Sequence, residues 1–186
     1  MIECAKYCVA KTLDSACDVG SALFGVGEED GALTVTAKMA GFAARRFVYI
    51  AADYWLMGVS VALVIGMKAM SVEFPSIFLG LWAFDIVIAG AFILFWKRTG
   101  IDITLGNDFR RAVDEIHAKS RLAGILAFIV VIAQAAVWSG PEQVIIFFRK
   151  EIGSRVVMAL VLLGLTAIQA VAWAAVYSLG YENAIQ

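Results

Sequence analysis

Apolar runs separated by short charged clusters set the rhythm of this chain. Four runs, Tyr49–Met70, Ser76–Trp96, Leu122–Trp138 and Val156–Ser178, have the ~17–25 residues that a helix needs to cross about 30 Å of hydrocarbon. A backbone in lipid must satisfy its own N–H and C=O groups, so each run is expected to be a helix. The fold class predicted is all-α: an integral membrane bundle of four transmembrane helices, with amphipathic interfacial helices and a helical, cytoplasmic N-terminal segment.

The connecting stretches carry a second layer of pattern. Ile2, Ala5, Val9, Leu13, Ala16 and Leu23 recur at helical spacing among charges, which predicts an amphipathic helix over residues 1–24. Gly25 to Gly31, with Glu28, Glu29 and Asp30 inside it, reads as a flexible acidic linker. Residues 1–32 thus form one segment and 33–186 the membrane domain. Leu33–Phe47 resumes helical character and ends in Ala43-Ala44-Arg45-Arg46, a basic collar feeding the first span.

Between spans two and three, Asn107 and Asp108 are good helix starters, and Phe109, Val113 and Ile116 follow as a narrow apolar stripe among charges. Between spans three and four, Ser139-Gly140-Pro141-Glu142 stops one helix and starts another, because proline suits a first helical position. Val144, Phe148 and Ile152 then share a face opposite Arg149 and Lys150, predicting an interfacial helix on the outer surface. Trp96 and Trp138 fall at span ends, where membrane-interface aromatics sit.

Composition agrees with the pattern. Hydrophobic residues make up 62% and charged ones 17% of the chain, against roughly 45–50% and 25% in soluble domains. Little chain remains for a soluble catalytic module. Charge placement predicts orientation: with the N-terminus inside, Lys38, Arg45, Arg46, Lys97, Arg98, Arg110, Arg111, Lys119 and Arg121 are cytoplasmic, and Lys68, Arg149, Lys150 and Arg155 are outside. The expected localisation is a plasma (inner) membrane, multi-pass, with both termini cytoplasmic. Glu3, Lys6, Lys11, Asp14 and Asp18 interrupt any apolar signal-peptide core.

Candidate chemistry lies inside the spans. Asp85 stands near the middle of the second run, where a carboxylate costs ~2.5–3.5 kcal/mol on insertion scales and must face the bundle interior, a partner helix or water. Gln134 and Gln169 are the polar partners expected from spans three and four, since an amide both donates and accepts. The weighing favours structural hydrogen bonding over a proton relay. Asp53 is expected at the interface near Arg45 and Arg46, and Lys68 is expected to snorkel to the opposite surface. Ala170, Ala174 and Ser178 repeat at i+4, as Ala123 and Ala127 do beside Gly124, marking faces where helices approach closely. Met57 and Met67 read as gap-fillers.

Other signals are weak. Cys4 and Cys8 share a helical face but Cys17 does not, so packing is favoured over metal or redox chemistry. His117 is the single histidine, which excludes a bis-histidine haem within this chain. No P-loop, GxSxG or HExxH motif occurs, and the stretch Thr99 to Asp108 matches no phosphate or magnesium loop. No enzyme activity, cofactor, metal or nucleic acid is therefore expected. The partners expected are membrane lipids and other membrane subunits or a second copy of the chain. The leading functional expectation is a non-enzymatic subunit of a larger membrane assembly. One alternative is a small oligomeric channel or transporter with a polar path around Asp85, and another is an immunity-like membrane protein.

Overall fold

A computed structural model describes residues 14, 16–27, 29–134 and 140–185. Regular structure among them is entirely helical: α1 (16–24), α2 (Ala32–Ala69), α3 (Phe74–Thr99), α4 (Gly106–Lys119), α5 (Arg121–Gln134), α6 (Pro141–Phe147) and α7 (Arg155–Ile185). Cys4, Cys8 and Trp138 lie outside the described residues, as does most of the expected helix over 1–24. Among the described residues, three helices are long and apolar enough to cross a membrane: α2, α3 and α7. The chain is a multi-pass helical membrane protein.

α2 runs for 38 residues, ~57 Å at 1.5 Å per residue, so the basic collar and first span are one continuous helix that overshoots the hydrocarbon. It turns into α3 through residues 70–73, where Val72 N–H donates to the Met67 carbonyl and Pro75 opens the next helix. α3 stops at Gly100, whose left-handed φ of 70° lets its N–H reach the Trp96 carbonyl. Tyr49 meets Phe92 across this antiparallel pair. α7 runs alongside α2 in the same direction, because Lys68 near the end of α2 pairs with Glu182 near the end of α7 at 2.8 Å.

The segment expected to be the third span, Leu122–Trp138, behaves differently. Its described part, α5, is 14 residues, ~21 Å, and residues 135–139 lie outside the description. Only Ser120 separates it from α4, and the two helices form a hairpin: Arg110 of α4 and Phe128 of α5 both lie against Phe147. The hairpin depends on Gly124, where a Cβ would stand 2.6 Å from the His117 backbone. α5 thus returns along an amphipathic helix instead of leading away from it. The expectation of four spans is corrected to three among the described residues.

Two further expectations fall with it. The helix after Pro141 was assigned to the outer surface, yet α6 is buried among α3, α4 and α7 at the end where α3 finishes, with Gln143 Nε2 donating to the Thr104 carbonyl at 2.6 Å. Both termini were expected on one face, yet the start of α2 and the end of α7 lie at opposite ends of the bundle. The physical reason is parity: three crossings return the chain to the far side, and four would not. Lys38, Arg45, Arg46, Lys97, Arg98, Arg110, Arg111, Lys119, Arg121, Arg149, Lys150 and Arg155 consequently gather at one end, and Lys68 alone of the described basic residues stands at the other.

The far half of the bundle is a small apolar core. Ala170 and Ala174 are fully buried against Val64, Ile77 and Leu81, so the small-residue stripe of α7 is where the helices approach. Trp82 donates its indole N–H to Thr166 at 3.0 Å, and Thr166 in turn donates to the Leu162 carbonyl. Replacing Ala170 by Leu is expected to overpack this contact and cost about 1–3 kcal/mol. Reversible unfolding in detergent checks the value, with Val171→Leu on the exposed flank staying near wild type.

Candidate functional site

Where α2, α3, α6 and α7 meet they leave a cavity of about 90 Å³, room for a few waters or one small ion with part of its shell. Three carboxylates line it, each from a different element: Asp53 from α2, Asp85 from α3 and Glu142 from α6. Ser60, Gln169 and Tyr177 add neutral polar groups, and Met57, Phe84, Phe92 and Trp173 supply apolar wall. No Lys, Arg or His is among the lining residues. Arg46, outside the lining, acts on Asp53 alone of the three acids, so the site keeps a surplus of negative charge and is chemically a receptor for positive charge.

Helical geometry explains two of the three placements. Asp53, Met57 and Ser60 follow at i, i+4 and i+7 on α2, and Leu81, Asp85, Ile88 and Phe92 do so on α3, so one stripe of each helix faces the cavity. Glu142 arrives by another route. Gly140 adopts φ 92°, which requires glycine, and a Cβ there would stand 2.5 Å from a Glu142 carboxylate oxygen and push that carboxyl from its place. The turn folds Glu142 inward, where the Tyr49 hydroxyl donates to its Oε1 at 2.9 Å. Burial pushes the Glu142 carboxyl up from 4.5 to about 7; the Tyr49 hydrogen bond opposes this, and Asp53 and Asp85 reinforce it.

The structure sorts the residues singled out from sequence. Asp85 and Gln169 do share the cavity, but Gln134, on α5, is not among its lining residues. Asp53, expected at the interface, lines the cavity instead, because the collar extends the helix and sets Asp53 deeper in the bundle. Arg45 turns away from Asp53 and pairs with Asp108 of α4 at 3.2 Å, and Arg46 lies over the Tyr49 ring. Lys68 is tied to Glu182. From sequence Glu142 is only a helix-start residue. The missed signal was an acid directly after Gly-Pro at the edge of an apolar run, which a fold-back carries inward.

The membrane-face loop is occupied by its own contacts. Asp102 accepts from the backbone N–H groups of Thr104 and Asn107 and from the Thr104 hydroxyl, holding Leu105 at φ 64° as α4 begins. Asp108 accepts from Arg45 and Arg111. Burial raises its carboxyl above the ordinary range, and those two guanidiniums pull against that rise. Among the described residues no group of three or more His, Cys, Asp or Glu is arranged to hold a metal. Family models, curated protein sequences and solved structures were each compared with this chain, and none matches.

The sign of the pH effect follows from Glu142. Between 4.5 and about 7 the folded protein retains a proton that the unfolded chain has released, so stability falls as pH rises through that window and levels off above it. Thermal unfolding in detergent between pH 4 and 8 is expected to follow this slope, and Glu142→Gln is expected to make it shallower, with Asp108, also raised by burial, keeping part of it.

Proposed function

We propose that this protein is a small, non-enzymatic membrane transport protein whose acidic cavity takes up protons or small monovalent cations. The observation that carries this reading is the convergence of Asp53, Asp85 and Glu142 on one cavity with no Lys, Arg or His in its described lining, where the Arg46 charge acts on Asp53 from behind the wall and offsets only part of the acidity. A carboxylate used only as helix glue needs one partner, whereas three acids together repel one another and create demand for a mobile positive charge. The acids are also arranged in depth: Glu142 stands at the basic end, and Asp85 near the middle of α3.

The far end favours a gated carrier over an open pore. Beyond Leu81 the packed residues Val64, Ile77, Ala170 and Ala174 close the bundle with apolar side chains, so an ion entering beside Glu142 meets a hydrophobic seal. Passage requires that core to rearrange. The positive-inside rule places the basic end, with α4, α5 and α6, in the cytoplasm of a plasma (inner) membrane, and the end of α7 outside. Lys68, the single basic residue at the outer end among the described residues, has its own partner in Glu182.

A second reading, a subunit of a larger assembly, has its own observation. α5 folds back with Leu122, Leu126, Ile129 and Val130 each more than half exposed, an apolar face that lipid or a neighbouring subunit must cover. The two readings are separable. In proteoliposomes holding only this protein, an imposed pH or monovalent-cation gradient is expected to dissipate, and Asp85→Asn is expected to slow it by roughly tenfold or more. Tight liposomes with wild-type protein, or a leak unchanged by both Asp85→Asn and Glu142→Gln, would leave the assembly role standing alone.

A further inference from the structure

The geometry points to a second site: a basic pocket between α4 and the end of α6 that binds the phosphate headgroup of an anionic membrane lipid. The pocket is open, holds about 190 Å³, and is walled by Phe147 with Arg110, Arg111, Arg149 and Lys150 around it and Asp114 as its one carboxylate. It lies outside the acidic cavity and shares no lining residue with it.

The charges there divide into held and available. Arg111 is engaged by Asp108, and Arg110 by Asp114 at 2.9 Å and Glu151 at 2.6 Å. Arg149 and Lys150 enter no ion pair among the described residues, and both are exposed. Arg110, over the Phe147 ring at 5.4 Å, is fixed as a wall of the pocket, while Arg149 and Lys150, the latter only partly offset by the nearby Glu151 charge, supply its available positive charge. A tetrahedral phosphate carrying one negative charge matches two adjacent cations better than a planar carboxylate matches them, since it offers oxygens in several directions.

The setting selects a lipid over a free anion. The Arg149 guanidinium sits 6.0 Å from the centre of the Trp96 ring, and tryptophan at a span end marks the headgroup level. Just before Trp96 on α3, Leu94 and Phe95 are 57% and 42% exposed, and Ile125 and Ile129 of α5 are also open, so acyl chains have apolar surface to lie against. A basic pocket at the cytoplasmic end of transmembrane helices is the arrangement that retains anionic headgroups.

The test uses the full chain extracted in mild detergent from bilayers of phosphatidylglycerol and phosphatidylcholine in equal amounts, with retained lipid counted by native mass spectrometry. Wild-type protein is expected to keep phosphatidylglycerol in preference. The double variant Arg149→Gln/Lys150→Gln is expected to lose roughly thirty-fold of that preference, as each basic residue near an anionic surface contributes about fivefold. Lys68→Gln at the opposite end controls for net charge and is expected to change nothing, and Arg149→Lys is expected to restore most retention. Equal retention of the two lipids by wild type, or an unchanged preference in the double variant, would overturn the proposal. Displacement of the lipid by millimolar inorganic phosphate would overturn the lipid assignment and identify a soluble phosphate site.

Discussion

The return of α5 along α4 is the constraint on which the remainder of this structure depends. Ser120 leaves no room for a wide loop, and Gly124 lets the second helix pass within contact of the His117 backbone. A side chain at residue 124 would force the helices apart. Because α5 comes back to where α4 began, residues 140 onward stay at the basic end, and α7 then makes the third crossing. The carboxylate of Glu142 reaches Tyr49 only under that arrangement.

Energetics make the same connection. Burying a carboxyl is costly unless its oxygens find donors and its charge is neutralised. Glu142 has donors in its own backbone N–H and in Tyr49, and burial holds its proton more tightly than usual, so near neutral pH it is poised between its two forms. Asp53 and Asp85 occupy the same cavity, and of these two only Asp53 feels an arginine, Arg46, from outside the lining. The guanidiniums of Arg45 and Arg111 are committed to Asp108 in the layer above, and that layer ties α2 to α4 across the end of the bundle. The basic end thus holds its cations together with the acids that pair with them, and the cavity below holds acids alone in its described lining.

Much of this was legible in the sequence, and the failures share one cause. Apolar run length identified α2, α3 and α7, and the i+4 spacing of Ala170 and Ala174 marked the face that packs. The intramembrane position of Asp85 showed that the second span needed a polar neighbour, and Gln169 does line the same cavity. Run length could not tell a crossing helix from one that folds back, because Leu122–Trp138 is as apolar as its neighbours and nothing in hydropathy records a close approach at Gly124. Every later error followed. A crossing third run implies Gln134 in the polar core, Arg149, Lys150 and Arg155 outside, and Glu142 as no more than a helix start. The corrected arrangement removes an inconsistency in the charge pattern, since the basic trio assigned outside joins the other basic residues.

Sided labelling of single cysteines tests the three-crossing arrangement most directly. In a background with Cys4, Cys8 and Cys17 changed to serine, Lys38→Cys, Glu73→Cys and Lys150→Cys are each exposed to a membrane-impermeant thiol reagent in right-side-out and inverted vesicles. The account predicts that residues 38 and 150 react from the same side and residue 73 from the opposite one. Reaction of residue 150 together with residue 73 would show that α5 crosses the bilayer, and would separate Glu142 from Asp53 and Asp85.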